Sequence, residues 1–211
     1  MKRQIVSFEL RMPEQWHAVP SGLPDASEWA RETATGLVRG AAAEGMAEAQ
    51  VEDTIDVLAE QLVGVSSSVQ RTGIAALETA VLVRSPERGV VDAMVVLVAQ
   101  QGLTEIEFTQ QLAEIAEDSD NPEYLYAGQV EGTVDAGDVA GLHTVLGNPA
   151  DAMGEGTAHL EERVVLGVFP EEGVDMVEVT AIARSVGTFD DMPQEMIDLL
   201  GGLSIESEKV R

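Results

Sequence analysis

The 211-residue sequence contains no cysteine, only eight aromatic residues of the Phe, Tyr and Trp types, and only two lysines. Without cysteine, disulfides, thiolate catalysis and cysteine-ligated zinc are excluded together. With so few aromatics, a core must be built mainly from Val, Leu, Ile, Ala and Met. Long apolar runs are missing too: the longest, residues 93–99, is far shorter than a membrane span and predicts a buried strand. We therefore expect no membrane insertion.

Positive charge is also scarce. Thirty-eight Asp and Glu face twelve Lys and Arg, for a formal net charge of −26. Such a surface repels phosphate backbones and anionic headgroups, and it attracts basic partners over long distances. Nucleic acid is therefore not an expected partner. The acidity favours a basic protein partner, or it reflects a solvated surface in a protein from a saline or GC-rich source.

The N-terminal segment gives an indication of the cellular location. It carries basic residues, but Ser7, Glu9 and Arg11 interrupt any apolar stretch of the kind that a secretory signal peptide needs. We therefore expect the protein to be cytoplasmic.

The first third of the chain predicts one strand and two helices. Val6, Phe8 and Leu10 alternate with polar residues over 4–11, which is typical of a half-buried strand, and a proline-rich loop follows. Residues 26–43 and 48–64 have helical composition, and Gly45 lies between them.

The short break between these helices predicts a helical hairpin, inserted over residues 25–66. The second helix carries an apolar stripe at helical spacing. We expect Ser66, Ser67 and Ser68 to form a loop after it.

The remaining two thirds predict mainly hairpins. Thr104 and Glu107 have the spacing of a capping box at the start of a helix. A last helix begins at Asp190 or Asp191 and is followed by a short edge strand. The predicted strand pairs are 73–84 with 90–100, 124–134 with 139–147, and 157–169 with 174–186.

Runs of hairpins indicate an antiparallel sheet with helices on its faces. The sequence therefore predicts an α+β fold with about six to seven strands, in a single domain over residues 1–211.

No motif for catalysis, cofactor binding or metal binding accompanies this pattern. His17, His143 and His159 are the only imidazoles, and they lack zinc-site spacing. Two of them could gather with a carboxylate such as Glu161 on one sheet face, but we expect ordinary strand or surface histidines. Residues 118–121 lack the glycine and the distal glutamate of a calcium-binding loop. Because neighbouring strand residues point to opposite faces, Glu161 and Glu162 are not expected to form a paired acid/base site. We predict no catalytic residues, no metal and no cofactor.

The helical hairpin is the surface that we expect to contact a partner, through an apolar groove. Its stripe covers either its own chain or a partner helix, and tryptophan is common in binding hot spots. The candidate partner-binding residues are Trp16, Trp29, Leu37, Val51, Ile55, Leu58 and Leu62.

The segment FELRMPEQWHAVP (8–20) is a strand followed by Pro13 and Trp16, and it resembles the start of the PsbP/Mog-like family of α/β proteins. The terminal hairpin, helix and LSIE strand resemble the end of that family, so that the matching order covers residues 4–20 and 73–206. The family includes LpqN-type lipoproteins and adaptor-chaperones of secretion systems. The resemblance implies a non-catalytic binding role, while residues 25–66 depart from the family pattern.

We therefore expect a non-enzymatic, acidic protein-binding factor, such as an adaptor, a secretion chaperone or an immunity-like protein. Its partner would be basic or would present an apolar helix. The alternatives are a subunit of a homo-oligomer, and a small-molecule-binding or hydrolytic protein with a His–carboxylate pocket.

Overall fold

Nine strands, four α-helices and one 3₁₀ turn form the described part of the protein. The computed structural model describes residues 3–23, 25–42, 47–71, 77–117, 124–148 and 159–209. In chain order the elements are β1 Arg3–Leu10, β2 Trp16–Ala18, α1 Ser27–Ala41, α2 Glu48–Arg71, β3 Leu77–Leu82, the 3₁₀ turn Pro86–Arg88, β4 Ala93–Gln101, α3 Glu105–Glu117, β5 Tyr124–Val134, β6 Gly137–Asn148, β7 His159–Phe169, β8 Asp175–Ala183, α4 Met192–Leu200 and β9 Leu203–Lys209.

Seven of the strands form one antiparallel sheet in the order β2-β3-β4-β8-β7-β6-β5. The other two, β1 and β9, pair with each other in a separate ribbon, with Leu10 opposite Leu203. The predicted α+β class with an antiparallel sheet is confirmed. The final strand differs from the prediction, because it pairs with the first strand instead of lying at an edge of the large sheet.

The chain divides into two compact units by its internal contacts, residues 1–13 with 95–211, and residues 14–94. The prediction of a single domain stays a prediction. Within the described residues, no helix is both long enough and apolar enough to cross a membrane.

The core of the 14–94 unit is built on the apolar stripe of α2. Ile55, Leu58 and Leu62 are at most 1% exposed, and they pack with buried residues of α1 and β3. Because this stripe continues through Val65 and Val69, α2 runs to Arg71. The helix is thus longer than predicted.

The expectation of a loop at Ser66–Ser68 is therefore wrong. Ser66 is a buried helical residue, because it lies next to the stripe that the core covers.

Ion pairs join the outer sides of α1 and α2. Arg31 contacts Glu52 at 3.3 Å and also pairs with Asp56, while Arg39 contacts Glu48 at 2.8 Å. These side chains are exposed, so each pair contributes little to stability. The two predicted helices are present, but the connection at 43–46 lies outside the described residues, and the hairpin itself stays a prediction.

The segment after β1 contains a short strand that was predicted as loop. Trp16, His17 and Ala18 form β2 and pair with residues 80–82 of β3. Two further backbone bonds continue the pairing, from Val19 N to Thr79 O and from Val83 N to Gln15 O. Cross-strand hydrogen bonding overrides the proline-rich composition here.

The packing of α2 predicts that alanine substitutions at two neighbouring positions differ strongly in their effect on the free energy of unfolding. Leu58 is 0% exposed, whereas Val57 is 50% exposed. We expect Leu58→Ala to lower the free energy of unfolding by about 2–5 kcal/mol, because it leaves a cavity. We expect Val57→Ala to change it by about 0.5 kcal/mol or less. Urea denaturation of both variants measures this, and equal losses would contradict the burial of the α2 stripe.

Candidate functional site

Helix α3 is held on one face of the larger unit by its cap and its apolar side. At its start, Thr104 Oγ1 accepts a hydrogen bond from Glu107 N, and the Glu107 carboxylate accepts bonds from the Thr104 amide and hydroxyl. This is the predicted capping box, and the Thr104 hydroxyl and amide lower the pKa of Glu107. Phe108 and Leu112 are buried beneath the helix with Leu142 and Met176. The cap and this cluster together fix the position of α3.

Strand β5 is the end of the large sheet. It pairs with β6 in an antiparallel register that runs from Tyr124 opposite Leu146 to Val134 opposite Gly137, with an irregularity at Leu125. Among the residues that the structure describes, no strand pairs with its other side. Sheet edges are usually protected by lysine, proline or inward-pointing charge. In β5 there is neither lysine nor proline, and its one charged residue is Glu131.

A groove runs between α3 and β5, because α3 lies mainly over β6. It contains a cavity of about 410 Å³ that reaches from Ile106 and Ala113 of the helix to Gln129 and Glu131 of the strand. Ile106 is 78% exposed at its rim. The groove therefore offers apolar surface next to an open strand edge.

A second cavity, of about 280 Å³, begins where the first one ends. Glu105 lines both, and the second continues past Asp138 to Glu171 and Glu172 in the turn between β7 and β8. We call these two cavities the α3–β5 groove. Its lining residues are Leu103, Thr104, Glu105, Ile106, Thr109, Gln110, Leu112, Ala113, Gln129, Val130, Glu131, Asp138, Ala140, Gly141, Phe169, Pro170, Glu171, Glu172, Gly173, Val174 and Asp175.

The lining of the α3–β5 groove has one sign of charge. It includes six carboxylates and neither lysine, arginine nor histidine. One of the six, Asp175, is buried, and its oxygens accept hydrogen bonds from the amides of Ile5 and Gly102, which gives it a structural role. The other five surround the groove and make it attractive to cations.

A histidine–carboxylate pair lies elsewhere on the same sheet. His143 Nε2 donates to Glu162 Oε1 at 2.9 Å, and the two side chains are 18% and 8% exposed. The ring of Tyr126 meets the imidazole edge to face at 5.3 Å. Tyr126 lies over Gly128, the cross-strand neighbour of His143, where a Cβ would come within 2.2 Å of the tyrosine hydroxyl oxygen. The second carboxylate oxygen of Glu162 is buried without a partner among the described residues.

The neighbouring glutamate has a different partner, because adjacent strand residues face opposite sides. Glu161 pairs with Arg163, two residues along β7, while Glu162 bonds His143. Glu162, and not Glu161, is therefore the carboxylate that lies next to a histidine on this sheet.

The other histidines do not join this pair within the described structure. His17 lies on β2, where it is half-buried opposite Val81. The side chain of His159 lies outside the described part of the chain. Among the residues that the structure describes, no three His, Asp or Glu side chains are arranged to hold a metal ion.

The candidate contact residues of unit 14–94 lie mostly in its core. The alternative that their stripe covers its own chain holds for α2. Trp29 and Leu37 are partly buried against that core, and Trp16 is half-buried on β2. The fully covered positions are Val51, Ile55, Leu58 and Leu62, with exposures between 0% and 5%.

Sequence reasoning missed the α3–β5 groove. One signal was available: Ile106 is apolar but lies off the stripe of Phe108 and Leu112, so the helix could not bury it with them. A second was the strand Tyr124–Val134, which is long but has no protective lysine or proline. That this strand lies at an edge depends on the strand order, which the sequence does not show.

A comparison of the sequence with models of known protein families gives no match, and a comparison with curated proteins gives none either. The resemblance to the PsbP/Mog-like family stays a prediction.

The hydrogen bond between His143 and Glu162 predicts that removing one of the two side chains lowers the stability of the protein. We expect His143→Ala to lower the free energy of unfolding by about 3 kcal/mol, because it leaves a buried carboxylate without its partner. Glu161→Gln, at the more exposed pair, is expected to cost about 1 kcal/mol or less.

Chemical denaturation of these variants tests the pair, and adding Glu162→Gln to His143→Ala should recover part of the loss. No recovery in the double variant would contradict the role of the buried charge.

Burial of His17 predicts a pH dependence. Desolvation lowers the pKa of its imidazole below the ordinary value of 6.5. As pH falls through about 6.5, the unfolded chain therefore binds a proton that the folded protein does not, and stability falls. The contribution is fully present above that pH and is lost as pH falls through the folded pKa.

We expect His17→Gln to reduce the loss of unfolding free energy between pH 7.5 and 5.5. Denaturation curves at both pH values measure the loss, and an NMR titration of the ring gives its pKa directly. The same pH dependence in both proteins would show that His17 is not the group responsible.

Proposed function

We propose that this protein is a non-enzymatic binding factor that holds a basic segment of another protein in the α3–β5 groove. The single observation that carries the proposal is the lining of that groove, which includes six carboxylates and no cationic side chain. Five of these carboxylates, all except Asp175, are exposed. A lysine or arginine entering the groove would gain attraction from several of them at once.

The apolar part of the groove supports a protein partner in preference to a free cation. Ile106, Leu112 and Ala113 line it beside the carboxylates. The aliphatic stem of lysine or arginine packs on such surface while its charged end reaches an acidic group. A groove with both features matches long basic side chains carried on a peptide.

The overall charge supports the same partner. At −26, the chain attracts basic proteins before contact and speeds their association at low salt. An adaptor or chaperone working in the cytoplasm is the kind of factor that this property and the PsbP/Mog-like resemblance suggest. We place the contact at α3 and β5 and not at α2, because the apolar stripe of α2 is already covered.

The proposal predicts that binding depends on the groove carboxylates and not only on total charge. The groove variant is Glu105→Gln, Glu131→Gln, Asp138→Asn. The matched control is Glu32→Gln, Asp53→Asn, Glu60→Gln, which removes the same charge from exposed positions of α1 and α2. We expect the wild type and the control to capture the same proteins from a lysate of the source, and the groove variant to lose them.

Mass spectrometry identifies the captured proteins, and we expect lysine- or arginine-rich segments in them and release at high salt, because charged pairs are screened there. Equal capture by both triple variants would contradict the groove as the site. Capture of proteins without basic segments, or of none, would contradict the proposed function.

A further inference from the structure

We propose that the basic segment binds as an added β-strand on the open edge of β5, with lysine or arginine at alternate positions pointing into the α3–β5 groove. This inference rests on the proposed function and specifies how the partner is held. Its occupant is an extended peptide in which basic and small apolar residues alternate.

The backbone of β5 supplies the first part of the argument. In an antiparallel ladder, alternate residues direct both N–H and C=O towards the paired strand, and the residues between them direct both groups away. Because β6 pairs with one side of β5, every second residue of β5 directs its N–H and C=O groups to the other side. No described strand pairs with that side. Strand addition to such an edge is a recurring mode of peptide recognition.

The length and composition of β5 favour a docking edge. Its eleven residues exceed the usual strand length of about five or six. The irregularity at Leu125 leaves a regular stretch over 126–134, in which each residue has a partner on β6. An eight-residue peptide fits within these nine residues.

The two sides of an added strand would meet different surfaces. On the α3 side lie Gln129 and Glu131 of β5, with Glu105 and Ile106 of the helix beyond them. On the opposite side lie Val130, which is 8% exposed, and the 51% exposed ring of Tyr126. Because strand side chains alternate between faces, a basic residue at every second position would reach the carboxylates, and a small apolar residue between would meet Tyr126 and Val130.

The charge of the groove argues against the sheet edge of a second copy as the occupant. A second β5 would bring Glu131 and no basic residue to the groove. Like charges placed opposite each other on paired strands are destabilising. The charge therefore selects a basic strand and disfavours self-pairing along this edge.

The experiment uses the full chain and an eight-residue fluorescein-labelled peptide of alternating lysine and valine. Fluorescence anisotropy gives its dissociation constant. A peptide with four lysines followed by four valines has the same charge without the alternation. Two further versions carry N-methyl groups, one on the lysine amides and the other on the valine amides, because only one set bonds to β5.

We expect one N-methylated peptide to bind at least about tenfold more weakly than the unmodified one, since it loses several backbone hydrogen bonds, and the other to bind nearly as well. The block peptide should also bind more weakly than the alternating one. Hydrogen exchange of the β5 amides at 127–134 should slow when the alternating peptide is bound. Glu131→Lys should weaken binding, whereas the matched Asp53→Lys in unit 14–94 should not.

The outcomes separate this inference from the proposed function. If both N-methylated peptides bind as well as the unmodified one, strand addition is wrong, while the acidic groove still stands as a binding site. If the alternating peptide does not bind but the groove-dependent partner is still captured, the partner is held in another conformation and this inference is overturned alone. If neither binds, both are overturned.

Discussion

The antiparallel ladder from β5 to β8 is the constraint on which the larger unit depends. Each strand is paired residue by residue with the next, so that the side of every side chain follows from its position in the register. Glu161 and Glu162 are neighbours in sequence, but their side chains face opposite sides of the sheet. Glu161 therefore pairs with Arg163, and Glu162 pairs with His143. The ladder also leaves one long strand, β5, at the end of the sheet.

The scarcity of lysine and arginine limits how many acidic side chains can form ion pairs. With 38 acidic and 12 basic residues, most carboxylates have no cation available to pair with. The exposed arginines of α1 are already used, because Arg31 and Arg39 pair with acids of α2. Arg163 is likewise used by Glu161. The lining of the α3–β5 groove accordingly includes six carboxylates and no cationic side chain.

Local patterns predicted much of the fold. The capping box at Thr104 and Glu107 and the helix capped by Asp191 are confirmed, because each depends on residues close together in the chain. The hairpin strands are confirmed over their described residues, while 73–76 and 157–158 lie outside them. The errors arose where distant residues decide. Residues 16–18 became a strand because β3 offers them hydrogen bonds, and Ser66 became helical because the core covers the stripe beside it. The partner of His143 likewise depends on distant residues, since pairing between β6 and β7 brings Glu162 to it.

The sequence by itself determined the charge, the absence of thiol chemistry, the antiparallel α+β class and the burial-competent stripe of α2, because composition and periodicity act locally. Only the tertiary structure decided that this stripe is covered and that β5 is an edge. It likewise decided that α3 leaves a groove beside that edge, in which the carboxylates of three separate segments meet. These properties depend on strand order and on the packing of α3 above β6, and neither leaves a periodic signal in the chain. The location of the candidate site is therefore a property of the fold, while the sign of its charge is a property of the sequence.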